Sequence, residues 1–335
     1  MEGAPDMEPR FVLRKQQLLA DCQVPPTFFD GITSRLEAFA RPFVASLPSP
    51  ESCGYTHTYL AGLLSDLPRK NAEAIAYRHD LDRQTIQGFV GEVPWDHTPL
   101  IDELGRQVSL EIGRADAVLV FDPSAFPKKG TASVGVKRQW CGRLGKLENC
   151  QVGVFLGYVS DAGHALVDFR LYLPKEWASD RKRRKRCGVP KAVKYQTRHE
   201  QALDMLQRRG GMLPHRWIAG DDEMGRPAWF RKRLAADGEQ YLLAVPSNTT
   251  IRDLEEEPPP YRGHGRRPKA PFRSVRTWCE ALPAEAWSHL SVRDGEKGPL
   301  EIEMAVGRVE SKVDGRVVGF EETLVVVRFR DGGVL

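Results

Sequence analysis

The spacing of hydrophobic positions changes once along the chain, near Ala117. Before that point it is helical. Leu36, Phe39, Ala40 and Phe43 fall at i, i+3, i+4 and i+7, the stripe that a helix buries. Leu60, Leu63, Leu64 and Leu67 repeat the spacing, and Pro68 is expected to end that helix because proline cannot continue one. "NAEAIAY", Asn71 to Tyr77, opens on a capping residue and continues in helix formers. Such stripes read as core. Arg69, Lys70, Arg78 and Arg83 nevertheless give this helical part charge with which to hold nucleic acid.

Beyond Ala117 the period becomes that of strands. "AVLVF", Ala117 to Phe121, is a short unbroken apolar run, as expected of a strand covered on both faces. "CQVGVFLGYV" and "HALVDFRLYL" alternate apolar and polar positions around the turn sequence "SDAG", which predicts a hairpin. A basic linker follows, then a helix around Thr197 to Arg209 and the strand "RWIAG". A second helix around Pro227 to Ala236 leads to the strand "YLLAV". Three sequence-adjacent strands followed by alternating helices and strands predict a mixed α/β sheet. A doubly wound dinucleotide fold would place helices between its early strands and a Gly-rich turn after the first, and neither is present. The arrangement resembles the ribonuclease H-like fold. "EEEPPPYRGHGRRPKAP" reads as a loop or linker, and "LEIEMAVGRVES" and "RVVGFEETLVVVRFRDG" as strands joined at "VDGR". The expected organisation is a helical domain over residues 1–113, a catalytic core over 114–248, and a linker with a β-rich module over 249–335.

Composition narrows the class. A hydrophobic share of 41% and a charged share of 28% are those of a soluble protein, and no window is long and apolar enough for a membrane span. The first residues carry early acids and no apolar core segment, so no signal peptide is expected. Six scattered cysteines without a CxxC pair fit reduced thiols in a cytoplasm, and they exclude the common zinc spacings. Net charge is only +4, but basic residues cluster at "DRKRRKRC", "RKR" and "RGHGRRPK", which suits a polyanionic partner.

Two strands end in carboxylates. Asp122 follows the first, and Asp221, with Asp222 beside it, follows the strand after the first helix. Ligands of open α/β sheets bind beyond the carboxyl ends of strands. Two carboxylates brought together there repel unless a cation lies between them, and Mg²⁺ suits such hard oxygen donors. The chemistry such a pair serves is two-metal phosphoryl transfer. A lone aspartate at a strand end is equally a turn former, so the pair and its strand order carry the weight.

The words around both aspartates resemble insertion-sequence transposases of the DDE superfamily. "FDPSAFPKKGTASVGVKRQWCGRLGKLENCQVGV" is similar to that family's first catalytic segment, and "YLPKEWASD" and "GVPKAVKYQT" to the segment after the hairpin. "WIAGDDEMGR" is similar to the second catalytic strand, "YLLAVPSNT" to the strand after it, and "YLAGLLSDLPRKNAEAIA" to the N-terminal region. The resemblance implies that Asp122 and Asp221 are metal-binding catalytic acids. Asp221 is preferred to Asp222 because the family's aspartate lies four positions before a glycine, here Gly225. It implies Mg²⁺ or Mn²⁺ as cofactor, and DNA as partner through terminal inverted repeats and target sites. It further implies action as a homodimer and a bacterial, nucleoid-associated cytoplasmic location. DNA contacts are expected from Lys128, Lys129, Arg138, Arg183 and Arg184; Trp140 is a candidate for stacking on a base, with core packing the favoured reading. The region after Asn248 resembles the β insertion that these enzymes carry before a catalytic glutamate on a helix. Glu301, Glu303, Glu321 and Glu322 lie in strand-like stretches and are expected to face solvent, so the third acid is missing. The chain then reads as a C-terminally truncated member with impaired catalysis, or as a non-catalytic DNA-binding remnant or repressor of an intact element.

Overall fold

The computed structural model describes residues 30–93, 95–295, 298–313 and 319–329, together with residues 16, 20 and 27. The chain divides into two compact units, Met1–Glu111 and Ile112–Leu335.

The first unit is helical. Its helices are α1 (Ile32–Val44), α2 (Pro50–Leu64), α3 (Ala72–Arg78), α4 (Arg83–Gly91) and α5 (Thr98–Ile112), the last reaching the boundary. Three begin on side-chain caps: Ser49, Asn71 and Asp82 each accept a backbone N–H of the first turn. Asn71 caps as the sequence predicts. α2 stops at Leu64, before Pro68, because the Ser65 hydroxyl donates to the Gly62 carbonyl (2.7 Å) and ends the turn; Leu67 therefore lies outside the helix. Ile75, Ala76, Ile86 and Phe89 form the buried interior. Gly62 is required by close packing, since a Cβ there would lie 2.5 Å from the Ile75 side chain.

The second unit contains two sheets. The strands of the first are β1 (Val118–Pro127), β2 (Lys137–Cys141), β3 (Lys146–Ser160), β4 (Gly163–Leu171), β5 (Trp217–Gly220) and β6 (Gln240–Leu243). The order is β2-β3-β1-β5-β6, with β4 also paired to β3. β3 runs antiparallel to β1, β2 and β4, while β1, β5 and β6 pair in parallel, so the sheet is mixed as expected. β1 extends past Asp122 to Pro127 because β3 is long enough to pair with it throughout. β2 has no counterpart among the expected strands: an edge strand of sequence "KRQWC" carries too little apolar alternation to announce itself.

Between these strands lie α6 (Lys175–Ser179), α7 (Arg181–Arg186), α8 (Arg198–Arg209), α9 (Asp222–Gly225) and α10 (Ala228–Ala236). α8 opens with a capping box between Thr197 and Glu200, buries Ala202, Met205 and Leu206, and packs on β3 and β4. Its final turn is held down by Arg209, which reaches the buried Asp168 of β4 (3.1 Å). α10 packs on β6, and its Phe230 meets Phe121 edge-on at 6.4 Å. One sheet face is thereby buried through Leu119, Phe121, Val154, Leu156, Tyr158 and Ile218. The opposite face keeps large apolar side chains exposed: Phe126, Val159, Leu166, Phe169, Leu171 and Leu242. Strand register places Asp122 on that open face, opposite Phe155.

The second sheet comprises β7 (Thr250–Asp253), β8 (Arg273–Ser274), β9 (Ser288–Gly295), β10 (Gly298–Lys312) and β11 (Gly319–Phe329), with α11 (Val275–Glu280) against it. β10 and β11 are the two strands expected from alternation, and they pair antiparallel; the turn expected at "VDGR" lies largely outside the described residues. Ile251, Val275, Trp278, Val309 and Leu324 form the core, and the Trp278 indole donates to Asp253 (2.7 Å).

Glu322 does not face solvent. Its side chain is 12% exposed and takes a two-pronged hydrogen bond from the buried Arg231 of α10 (3.0 and 2.9 Å). Tyr241 of β6 donates to the same carboxylate (3.0 Å), so one glutamate of β11 ties the second sheet to the first. Glu303 is also mostly covered, between Arg328 and His289, whereas Glu321 pairs with Arg308 on the surface. Removing one partner of a buried pair strands the other charge, at a cost of about 3–5 kcal/mol. In urea unfolding of the 335-residue chain, Glu322→Ala is therefore expected to lose about that much stability, and Glu321→Ala little.

Candidate functional site

Parallel pairing places Phe121 beside Gly220, so the next residues, Asp122 and Asp221, lie side by side at the rim where that pairing ends. Asp221 lies just past β5, and Asp122 midway along β1 rather than at the strand tip expected from sequence, because β3 goes on pairing with β1 beyond it. Both are exposed. Each has one oxygen engaged locally: Ser124 Oγ donates to Asp122 Oδ2 (3.1 Å), and the Met224 backbone N–H donates to Asp221 Oδ1 (3.1 Å). Among the described residues neither carboxylate takes an ion pair, which leaves oxygen lone pairs turned toward solvent. Asp222 differs, because Arg226 neutralises it from one turn on (2.6 Å). The donor set at the rim thus fits a hard divalent cation better through Asp122 and Asp221 than through Asp222. Among the described residues no group of three or more His, Cys, Asp or Glu could hold a metal ion.

Local sequence builds the second carboxylate's position. Asp221 is the N-cap of α9, and extended backbone at Asp221 turns into that helix. α9 is seated tightly: a Cβ on Gly225 would fall 1.9 Å from the Ala244 carbonyl oxygen. Arg231 donates to the Gly225 carbonyl, so the guanidinium held by Glu322 also holds the end of this turn. Beneath it, His199 sits against Trp229 and Phe230, and its Nε2–H donates to the Glu223 carbonyl (3.0 Å). Burial pushes the His199 imidazole below its usual range, so it is neutral at pH 7 and serves as a packed hydrogen-bond donor.

A cavity of about 500 Å³ opens at this rim, lined by Asp221, Asp222, Trp140 and Gly142 among others. A second, more apolar one runs from Asp122 and Asp221 over the open sheet face, past Phe155 and Leu166. Arg198 and Arg226 line the first, and Arg143 lines the second; none of these three was singled out from sequence. Trp140, expected in the core, is 59% exposed. It lies on the edge strand β2, opposite Leu147 of β3, which is exposed as well.

The basic candidates fall into two groups. Lys128, Lys129 and Arg138 are exposed. The loop bearing the lysines is fixed by Asn149, whose side-chain amide donates to the carbonyls of Lys128 and Gly130 (both 2.8 Å). Arg183 and Arg184 instead spend their guanidinium groups inside the fold. Arg183 lies over the Trp177 ring at 3.5 Å and donates to Thr131, and Arg184 donates to Pro190 and Val193. Their exposed neighbours Arg181, Lys182, Lys185 and Arg186 carry the free charge of α7.

Residues 42–299 match the family model described as DDE superfamily endonuclease. The chain is also 35% identical, over 216 residues, to "Probable transposase for insertion sequence element IS701" from Microchaete diplosiphon; the match covers 62% of this chain and 52% of the relative. The chain thus spans about half the length of that relative.

Asp221 has a structural duty separable from its charge. Asparagine caps helices about as well as aspartate, so Asp221→Asn is expected to unfold in urea near the wild-type midpoint, whereas Asp221→Ala loses up to about 1 kcal/mol. Gly225→Ala should cost more, roughly 2–3 kcal/mol, because the Ala244 carbonyl must move.

Proposed function

Because the chain belongs to the DDE superfamily of endonucleases, we propose that it is the DNA-handling portion of an insertion-sequence transposase, with Asp122 and Asp221 as its metal-binding acids. The observation that carries this reading is the pair of unneutralised carboxylates on two parallel strands, each directly after the last paired residues Phe121 and Gly220. Mg²⁺ or Mn²⁺ held there would supply positive charge to the scissile phosphate and lower the pKa of an attacking water or 3′-hydroxyl. The protein's own contribution is positional. Asp122 is fixed by the β1–β3 ladder and oriented by Ser124, and Asp221 by its cap on α9. Lys128, Lys129 and Arg138, with the exposed cations of α7, would track the phosphate backbone. The helical first unit and the β10–β11 sheet take the places of the family's N-terminal domain and β insertion, and the β1–β6 sheet that of its ribonuclease H-like core.

The family's third acid is a glutamate on a helix, and the glutamates of β10 and β11 lie in strands. The open face beside Asp122 supports its arrival from elsewhere. Its apolar residues are those an amphipathic helix would bury, at about 25 cal/mol per Å² of apolar surface covered. With no trio of ligands among the described residues, a second reading stays in play: these residues alone bind DNA without cutting it, as a remnant or repressor would.

Titration of the 335-residue chain with Mn²⁺, followed by loss of the free-ion paramagnetic signal, tests the first reading. Asp122→Asn and Asp221→Asn should each weaken binding at least about ten-fold, and Asp222→Asn should leave it near wild type. Equal affinity in all four proteins would remove the pair from metal binding. Salt-dependent DNA binding that persists in every variant, without Mg²⁺-dependent nicking by the wild type, would favour the second reading.

A further inference from the structure

Tryptophan is costly to leave in water, and the other six in this chain have a use for the ring or its N–H. Trp177 and Trp278 are buried and donate to Val136 and Asp253. Trp95 stacks on Phe89, Trp229 packs on His199, and Trp217 and Trp287 lie beneath arginines. Trp140 is 59% exposed, and among the described residues its ring has no aromatic or cationic partner. Its backbone is nonetheless held firmly. Cys141 beside it is buried, and the Gln139 side chain donates to Cys150 and accepts from Arg198 (3.1 and 3.2 Å). Gly142, two positions on, lines the same cavity. The result is an exposed aromatic side chain on a fixed strand, lining the same cavity as Asp221.

We infer that Trp140 is a base-stacking residue, receiving an unpaired nucleobase next to the phosphodiester held at Asp122 and Asp221. A base inside a duplex already has neighbours on both π-faces, so an exposed indole gains contact only from one at a strand end or turned out of the helix. The cavity's polarity suits that ligand: Arg198 and Arg226 line it, each kept in place by a carboxylate, Glu223 and Asp222 respectively. Stacking is tolerant of base identity, so Trp140 fixes the strand's position more than its sequence. The bland alternative is that Trp140 and its cross-strand partner Leu147, also exposed, form an apolar patch that associates with a second copy.

This inference rests on the nucleic-acid reading above, and the test separates the two. Duplexes with a three-nucleotide overhang, carrying 2-aminopurine at each overhang position in turn, are titrated with the full chain without added metal. Wild type and Trp140→Phe should quench the fluorophore at one position or more, and Trp140→Ala should not. Trp140→Ala should also bind overhang DNA about ten-fold more weakly, while binding blunt duplex as wild type does. Leu147→Ala should retain quenching. If the wild type binds DNA but quenches nothing, or Trp140→Ala quenches and binds like wild type, stacking is refuted and the DNA reading survives. If Trp140→Ala changes only sedimentation, the residue belongs to a self-association surface. If the wild type binds neither DNA, the nucleic-acid reading fails and takes this inference with it.

Discussion

Asp122 and Asp221 are separated by nearly a hundred positions, and the parallel pairing of β1 with β5 is what brings them to one rim. A parallel pair needs a crossover between its strands, and here the crossover contains a hairpin, a basic helix and α8 before the chain returns as β5. Each of those pieces is anchored so that the return is accurate. Arg209 of α8 is locked on Asp168, the Tyr158 hydroxyl donates to the Pro214 carbonyl just before β5, and Arg216 and Trp217 donate to the Ala117 carbonyl at the start of β1. A one-residue slip between β1 and β5 would turn one carboxylate to the other face and break the pair.

A second constraint reaches the site from farther away. Arg231 joins three things at once: the Glu322 carboxylate of β11, the Gly225 carbonyl at the end of α9, and the packing of α10 on the sheet. An arginine buried this deeply is tolerable only with its charge matched, and the match comes from the other sheet. Tyr241 adds a donor to the same carboxylate, and burial beside that negative charge pushes its phenol well above the ordinary range, so it remains protonated and able to donate. The position of the turn capped by Asp221 therefore depends on the second sheet being docked.

The legible part of this architecture was whatever repeats locally. The β3–β4 hairpin, α8 with its Thr197 cap, and strands β5, β6, β10 and β11 all follow from alternation, helical spacing or capping residues. The aspartates stood out only as a pair in a strand order that could bring them together, since either one alone is as readily a turn former. What escaped was set by neighbours distant in sequence. β2 exists because β3 overruns β4 and offers a free edge, and no period in "KRQWC" reveals that. Glu322 sits in an alternating strand whose polar face would ordinarily meet water; only the docking of α10 makes it interior. Arg183 and Arg184 looked like free cations in a basic run. A short helix, however, turns some of its side chains inward, and the carbonyls of Thr131, Pro190 and Val193 were waiting there. Trp140 erred in the opposite direction: tryptophan is normally buried, and an edge position beside a cavity overrides that tendency.

The sheet's two faces explain why the carboxylate pair is assembled yet unshielded. Helices α8 and α10 cover one face, and burial there supplies the apolar contact that holds β1 and β5 in register. Asp122 points from the other face, among side chains as apolar as those beneath the helices. In open water, two carboxylates hold a divalent ion weakly, because solvent screens the attraction and competes for the ion. An element laid over Phe126, Phe155 and Leu166 would bury that apolar surface and exclude water from the rim in the same act. Ion affinity and folding energy would then rise together, so covering that face and sequestering the carboxylate pair would be one physical event.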